Sequence, residues 1–339
     1  MLISEFDYNL PEHLIAQKSV EPRDVSRLIV VNRKTGTIEH KHFYNITEYL
    51  LPGDVLVLNK TKVFKARLFA KVHGLEKVVE VFLLKSIAGE WEVLLGGAKR
   101  VPVGSTLEFN SELRANIVNK DVKEGTARIK FQQSDNHVLE YCEAHGKIPV
   151  PPYVHQDPAD LSKYQTIYAK DIGSVAAPTA GFHFTPELLD KIKKMGVEIE
   201  YITLHVGIGT FRPVKTEVVE EHVMHSEYVQ IDQDVADKIQ KAKQAGRRVI
   251  AVGTTTTRAL EGVAMQGCGA YSGDINIFIK PGFEFKVIDG LITNFHLPKS
   301  TLLILVSALA GSELIKKAYL EAVELEYRFY SFGDAMLII

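Results

Sequence analysis

The chain has 339 residues, 46% hydrophobic and 24% charged. That is the composition of a globular protein of about two domains, and it excludes a disordered, collagen-like or highly charged scaffold. Lys and Arg number 40 against 42 Asp and Glu, a formal net charge of −2, so any nucleic-acid contact must use a local basic patch rather than a global field.

Two cysteines, Cys142 and Cys268, lack CxxC spacing, and neither a disulfide framework nor a structural zinc site is expected. The first residues, Met1-Leu2-Ile3-Ser4-Glu5-Phe6-Asp7, are acidic and carry no apolar run, so they do not read as a signal peptide. The most apolar stretch, 302–310, is about half the ~20 residues that a membrane span needs and reads as a buried helix. A cytoplasmic location without membrane contact is expected.

Short mixed elements fill the first ~50 residues. Residues 54–132 then read as strand after strand: 55–58, 64–72, 77–84, 91–95, 106–109, 113–118 and 126–131. Turn signals such as His73-Gly74, Gly96-Gly97, Asn110-Ser111 and Gly125 separate them, a spacing that favours a small barrel or sandwich. After Pro149-Val150-Pro151-Pro152 the texture changes. Thr185-Pro186-Glu187 opens a helix that Gly196 ends, and 197–204 alternates like a strand. Asp232 is read as the cap of a second helix, closed by Gly246, and Val249-Ile250-Ala251-Val252 follows as a buried strand. Alternating helix and strand means α/β. The expected fold is therefore a mixed-sheet α/β catalytic domain, residues 1–60 and 151–339, carrying an inserted β-barrel, residues 61–150.

Four segments offer chemistry. A strand ending Leu204-His205-Val206 runs into Gly207-Ile208-Gly209, a place where open α/β sheets bind nucleotides. The third glycine of the dinucleotide fingerprint is missing, and Arg212-Pro213 follows in its place, so a tight turn is an equal reading. Next, Val252-Gly253 leads into Thr254-Thr255-Thr256-Thr257-Arg258. One threonine suffices to cap a helix, and four exceed that need, which favours anion binding at the helix N-terminus. Then Ala176-Ala177-Pro178-Thr179-Ala180-Gly181-Phe182-His183 and Ile292-Thr293-Asn294-Phe295-His296-Leu297-Pro298-Lys299 each place a histidine just before a helix. Packing or capping is the plainer reading of each. His222 and His225 lack a further ligand set, so no metal is expected. The phosphate loop, the GxSxG elbow and the HExxH helix are all missing.

Taken in order, several landmarks form one pattern: Phe6-Asp7-Tyr8, Glu21-Pro22-Arg23-Asp24 with Ser26-Arg27-Leu28, Gly53-Asp54-Val55-Leu56-Val57-Leu58-Asn59, Ile148-Pro149-Val150-Pro151-Pro152-Tyr153 and Tyr164-Gln165-Thr166. The four segments above, His225-Ser226-Glu227 and the tail Tyr327-Arg328-Phe329-Tyr330-Ser331-Phe332-Gly333-Asp334 complete it. Nearly end to end, the chain resembles the S-adenosylmethionine:tRNA ribosyltransferase-isomerase family of queuosine biosynthesis. It departs from that pattern at 60–65, at Thr256-Thr257 and at 273–278, where an expected Trp-Thr pair is missing. The resemblance implies an α/β domain with an inserted barrel. It implies transfer of the ribosyl part of S-adenosylmethionine to a 7-aminomethyl-7-deazaguanine wobble base, giving epoxyqueuosine-tRNA, adenine and methionine. S-adenosylmethionine is then a co-substrate rather than a prosthetic group, tRNA is the macromolecular partner, and no obligatory protein partner is evident.

That chemistry demands a base for the C5′ proton beside the sulfonium, an acid for adenine and an anchor for the methionine carboxylate. A histidine beside a sulfonium stays neutral and basic, and His205 and His183 are the candidates. Gly207, Gly209, Arg212, Thr254, Thr255 and Arg258 are assigned to S-adenosylmethionine, with Arg212 or Arg258 gripping the carboxylate. Lys60, Lys62, Lys65 and Arg67, read as a basic run at the barrel edge, are assigned with Lys299 to the tRNA backbone. A methyltransferase and a non-catalytic RNA-binding module remain as rival readings.

Overall fold

The computed structural model describes residues 1–123, 125–150, 153–154, 161–207 and 216–339. In chain order the first strands are β1 (Arg27–Asn32), β2 (Thr37–His42), β3 (Val55–Asn59), β4 (Thr61–Val63), β5 (Arg67–Val72) and β6 (Val78–Ile87). Then come β7 (Glu90–Leu95), β8 (Thr106–Glu108), β9 (Arg114–Asp121), β10 (Thr126–Phe131), α1 (Asp135–His145), β11 (Asp171–Ser174), α2 (Pro186–Lys194) and β12 (Glu198–His205). The chain continues through β13 (Glu227–Ile231), α3 (Gln233–Gln244), β14 (Val249–Val252), α4 (Thr254–Ala264), β15 (Tyr271–Ile275) and β16 (Gly290–Asn294). It ends with α5 (Thr301–Ala310), α6 (Ser312–Glu324) and β17 (Ala335–Ile338).

Nine strands form one mixed sheet in the order β15-β13-β12-β3-β14-β16-β17-β1-β2. Its centre, β12-β3-β14-β16, is parallel. The sequences Val-Leu-Val-Leu-Asn, Val-Ile-Ala-Val and Gly-Leu-Ile-Thr-Asn of β3, β14 and β16 are buried at every position. Continuous apolar runs belong in strands covered on both faces. One cover holds α3, α4, α5 and α6 through Ile239, Leu260, Ile304 and Tyr319, and the other holds α2 through Leu188 and Ile192.

Strands β5 to β10 close a six-stranded antiparallel barrel. Burial alternates strictly along β5, β7 and β10, because successive side chains point to opposite faces of a strand and only one face lines the interior. Trp91 fills that interior and donates its indole N–H to Asp135 at the start of α1 (2.7 Å). The fold is thus a mixed-sheet α/β domain whose chain is interrupted by a small barrel.

Two local expectations change. The strand expected over 64–72 begins only at Arg67: Ala66 N–H turns back to the Phe64 carbonyl, while Thr61–Val63 pairs in parallel with β11 instead. Asp232 does stand at the N-cap of α3, but its side chain makes no capping bond; it accepts from Gln230 and faces Lys60 at 3.8 Å. Thr185 caps α2 as its sequence implies, accepting from Leu188 N–H at 3.2 Å. Among the described residues, no helix is long and apolar enough to cross a membrane.

Candidate active site

The four parallel strands all end on one edge, at His205, Asn59, Val252 and Asn294. Ligands of open α/β sheets sit outside this carboxyl edge, and the described parts of the four segments singled out from the sequence reach it.

At the β12 end, the His205 ring stacks on Tyr228, with centroids 5.6 Å apart, and its Nδ1 lies 2.8 Å from Thr61 Oγ1. Asn59 fixes this corner by bonding both the N–H and the carbonyl of Leu204 and the N–H of Thr61. Gly173 of β11 lies under the imidazole: a Cβ there would stand 2.6 Å from Nε2, so only glycine lets the ring lie flat. Among the described residues Nε2 has no hydrogen-bond partner. Burial pushes the His205 pKa below its usual value, and Asp171 opposes that shift. A neutral imidazole with one free ring nitrogen is a competent proton acceptor.

His183 is built differently. It ends a short 3₁₀ turn, Thr179–His183, is 4% exposed and stacks on Phe43. Both ring nitrogens are engaged, Nδ1 with Ser26 Oγ (2.7 Å) and Nε2 with Asn294 Nδ2 (3.0 Å). Burial, with Arg23 and Arg328 nearby, pushes its pKa down to about 3. Such a ring orients its neighbours and has no free lone pair to offer a substrate.

At the β14 end, Gly253 adopts φ +92°, a conformation that favours glycine, and α4 starts at Thr254. Thr256 and Thr257 bond back to the carbonyls of Val252 and Gly253. The side chains of Thr254 and Thr255 make no hydrogen bond among the described residues. Arg258 does not reach out as an open clamp: it pairs with the buried Glu227 and donates to the His225 carbonyl (3.4 Å), while Glu227 accepts the Gly207 N–H (3.3 Å). Gly209 and Arg212 lie outside the described residues.

The basic run is not a single barrel edge. Lys62 lies on β4 with Lys60 just before it; Lys65 is in the link, and only Arg67 is on a barrel strand. Lys60 faces Asp171 (3.4 Å), Lys65 faces Glu143 (3.1 Å), Arg67 faces Glu80 (3.1 Å) and Lys299 faces Asp7 (2.8 Å). Lys62 alone of the five has no ion pair among the described residues. Of the segment that departs from the family pattern, Gly273–Ile275 lies in edge strand β15, where Asp274 pairs with Lys85 of the barrel (3.1 Å). No group of three or more metal-ligating side chains occurs among the described residues.

A family model described as "Queuosine biosynthesis protein" matches residues 3–338. The chain belongs to this family. It is 53% identical over 342 residues to the S-adenosylmethionine:tRNA ribosyltransferase-isomerase of Halothermothrix orenii, and 53% identical over 344 residues to that of Moorella thermoacetica, with 100% of both chains covered in each case. A crystal structure of S-adenosylmethionine tRNA ribosyltransferase from Thermotoga maritima matches at 40% identity and a TM-score of 0.58, covering 99% of this chain and 100% of that one. Several residues that shape the site escaped the sequence reading. Ser26 and Glu227 sit inside quoted landmarks but draw no attention as single polar residues; Thr61 and Asp171 carry no local signal, because β4–β11 pairing alone brings them to His205.

Proposed function

We infer that this chain is an S-adenosylmethionine:tRNA ribosyltransferase-isomerase of queuosine biosynthesis, acting in the cytoplasm on S-adenosylmethionine and a tRNA that carries 7-aminomethyl-7-deazaguanine at the wobble position. The observation that carries the reading is His205: neutral, with Nε2 unpartnered among the described residues, at the carboxyl edge of a parallel sheet, in a chain whose relatives of that name match it over full length. We assign residues 1–60 and 151–339 to the catalytic domain and 61–150 to the inserted domain.

In this reading His205 Nε2 takes the C5′ proton that the adjacent sulfonium acidifies. The electron pair left on C5′ breaks the C4′–O4′ bond, and the freed oxygen becomes the C1′ aldehyde as adenine departs with the glycosidic pair and picks up a proton. The aminomethyl nitrogen adds to C4′ of the resulting vinyl sulfonium and loses a proton, the C5′ carbanion so formed closes on C1′, and the new alkoxide displaces the sulfur from C5′, closing the epoxide and expelling methionine as a neutral thioether. We assign Gly207, Gly209, Thr254 and Thr255 to S-adenosylmethionine, and Arg212 to its carboxylate. Arg258 acts from behind, through Glu227 and Gly207. Lys62 leads the tRNA contacts, and Lys60, Lys65, Arg67 and Lys299 contribute where phosphates displace their present carboxylates.

The test is incubation of the protein with S-adenosylmethionine and precursor tRNA, followed by mass spectrometry of the small products. Adenine and methionine in equal amounts are expected. Release of S-adenosylhomocysteine would mean a methyltransferase, and bound tRNA with intact S-adenosylmethionine would mean a binding module.

A further inference from the structure

His183 stands in a hydrogen-bond relay whose direction can be assigned. Thr179 Oγ1 donates to Asn294 Oδ1 (3.0 Å), which turns Asn294 Nδ2 toward His183 Nε2 (3.0 Å). An amide nitrogen only donates, so Nε2 accepts and the ring proton sits on Nδ1. Nδ1–H then donates to Ser26 Oγ (2.7 Å). Ser26 keeps its own hydroxyl proton, and no acceptor for it exists among the described residues. Ser26 is 2% exposed, and an unanswered buried donor is costly.

That hydroxyl faces a narrow cleft lined by Arg23, Ser26, Phe182, His183, Ser331 and Phe332 among others, with a cavity volume of ≈ 10 Å³, room for about one water-sized atom. Arg23 is largely buried here, its guanidinium 5.1 Å over the Phe182 ring. Among the described residues it donates only to neutral carbonyls, Gln165 at 3.1 Å and Lys163 at 3.1 Å. Its carboxylate neighbour Glu21 is 3.9 Å away and exposed. A directed O–H and an under-compensated guanidinium in a tight, half-aromatic cleft suit one oxygen of an anion and exclude a base or a sugar.

We propose that this cleft is an anion subsite, in which Ser26 donates to a substrate carboxylate or phosphate oxygen, Arg23 supplies the charge, and His183 is a positioning residue that aims Ser26. This rests on the reading that the chain binds S-adenosylmethionine and tRNA, the two sources of such an anion. The carboxylate of the first and a phosphate of the second are told apart by measurement.

Equilibrium binding of S-adenosylmethionine, of its decarboxylated analogue and of precursor tRNA is compared between the wild type and Ser26→Ala, with folding checked by thermal melting. Loss of a hydrogen bond to a charged group predicts about 10- to 100-fold weaker binding of one anionic ligand. If that ligand is S-adenosylmethionine, KM rises with kcat nearly unchanged, and the decarboxylated analogue binds both proteins equally. If it is tRNA, S-adenosylmethionine binding is unchanged and tRNA affinity falls with the salt slope preserved, because serine carries no charge. Ser26→Thr restores the hydroxyl and the affinity. Arg23→Lys, which loses the fork, weakens the same ligand and replaces Ser26→Ala should that variant not fold. A folded variant that binds all three ligands like the wild type overturns the subsite alone. A wild type that releases no adenine overturns the reading of function, and the subsite with it.

Discussion

Arg258 and Glu227 form an ion pair with side chains only 7% and 3% exposed. The pair joins three elements: Arg258 comes from α4, Glu227 opens β13, and the second carboxylate oxygen holds the Gly207 N–H at the end of β12. One of the two arginines read from the sequence as a grip for the substrate carboxylate thus already has a carboxylate, supplied by the protein itself.

Glu227→Gln should therefore act on stability before it acts on chemistry. It leaves a buried guanidinium uncompensated, a change that costs about 3–5 kcal/mol. The double change Glu227→Gln with Arg258→Met should recover much of that loss, since apolar replacements of buried pairs are often tolerated. Urea melts of the two variants measure this. A loss below about 1 kcal/mol in the single variant would show that Arg258 finds another partner.

His205→Gln removes the free ring nitrogen and keeps a polar side chain beside Thr61. Turnover should fall by about 10²–10⁴-fold while both substrates still bind. The pH profile is a second check. A base works when deprotonated, and burial lowers the His205 pKa from 6.5, so the acid limb of kcat/KM should lie below pH 6.5. Asp171 raises the pKa against burial, so Asp171→Asn should move that limb further toward acid. A limb that stays in place with Asp171→Asn and disappears with another histidine variant would reassign the base.

The α/β class, the barrel and the strands ending near Asn59, His205 and Val252 were legible from the sequence because they depend on local pattern: buried runs such as Val249-Ile250-Ala251-Val252, glycine turns and one helix cap, whereas Gly290–Asn294 was not read as a strand. The four segments that offer chemistry could still be found. What each side chain does there depends on partners far along the chain. Thr61 meets His205 across 144 residues, Glu227 meets Arg258 across 31, and Ser26 meets His183 across 157. No periodicity encodes such pairings. The sequence made the two histidines equivalent, and only their partners separate a ring with a free nitrogen from one with none. Charge was misleading in the same way, since Lys60, Lys65, Arg67 and Lys299 look free in a linear reading and meet carboxylates in the fold.

That difference among the cations predicts unequal effects on tRNA. Lys62→Ala should lower the log–log salt slope of tRNA binding by about 0.7–0.9, the loss of one phosphate contact. Lys65→Ala and Arg67→Ala should change it less, because each cation is already compensated by a carboxylate, Glu143 and Glu80. Equal slopes for all three variants would mean that the internal pairs dissolve on binding.

Glu261 is buried on α4 and receives three backbone N–H groups, from Lys286 (2.8 Å), Val287 (3.0 Å) and Ile288 (2.9 Å), which bring the chain into β16. Glu261→Gln replaces one acceptor oxygen by a donor. At least one buried N–H then faces another donor, and stability should drop by about 1–3 kcal/mol. Denaturant melts would contradict this account if the glutamine variant matched the wild type.

Stability should also fall on mild acidification, and two histidines set the sign. His183 and His296 are both buried, and burial pushes each pKa down to about 3. The His296 Nε2 lies 2.9 Å from Thr293 Oγ1. In the unfolded chain both rings take up a proton near pH 6.5. Between about pH 6.5 and about pH 3 the unfolded state therefore binds more protons than the folded one, so stability rises with pH across this window and is lost as pH falls. Each histidine contributes a slope of up to about 1.4 kcal/mol per pH unit. Urea melts at pH 7.5, 6.5 and 5.5 should show the steepest decline below pH 6.5. His183→Asn, which cannot take up the proton, should reduce that decline by up to about 1.4 kcal/mol per pH unit even though it is less stable at pH 7.5. An unchanged slope in His183→Asn would mean that the ring is protonated in the folded protein, and the Nδ1–H tautomer assigned to it would be wrong.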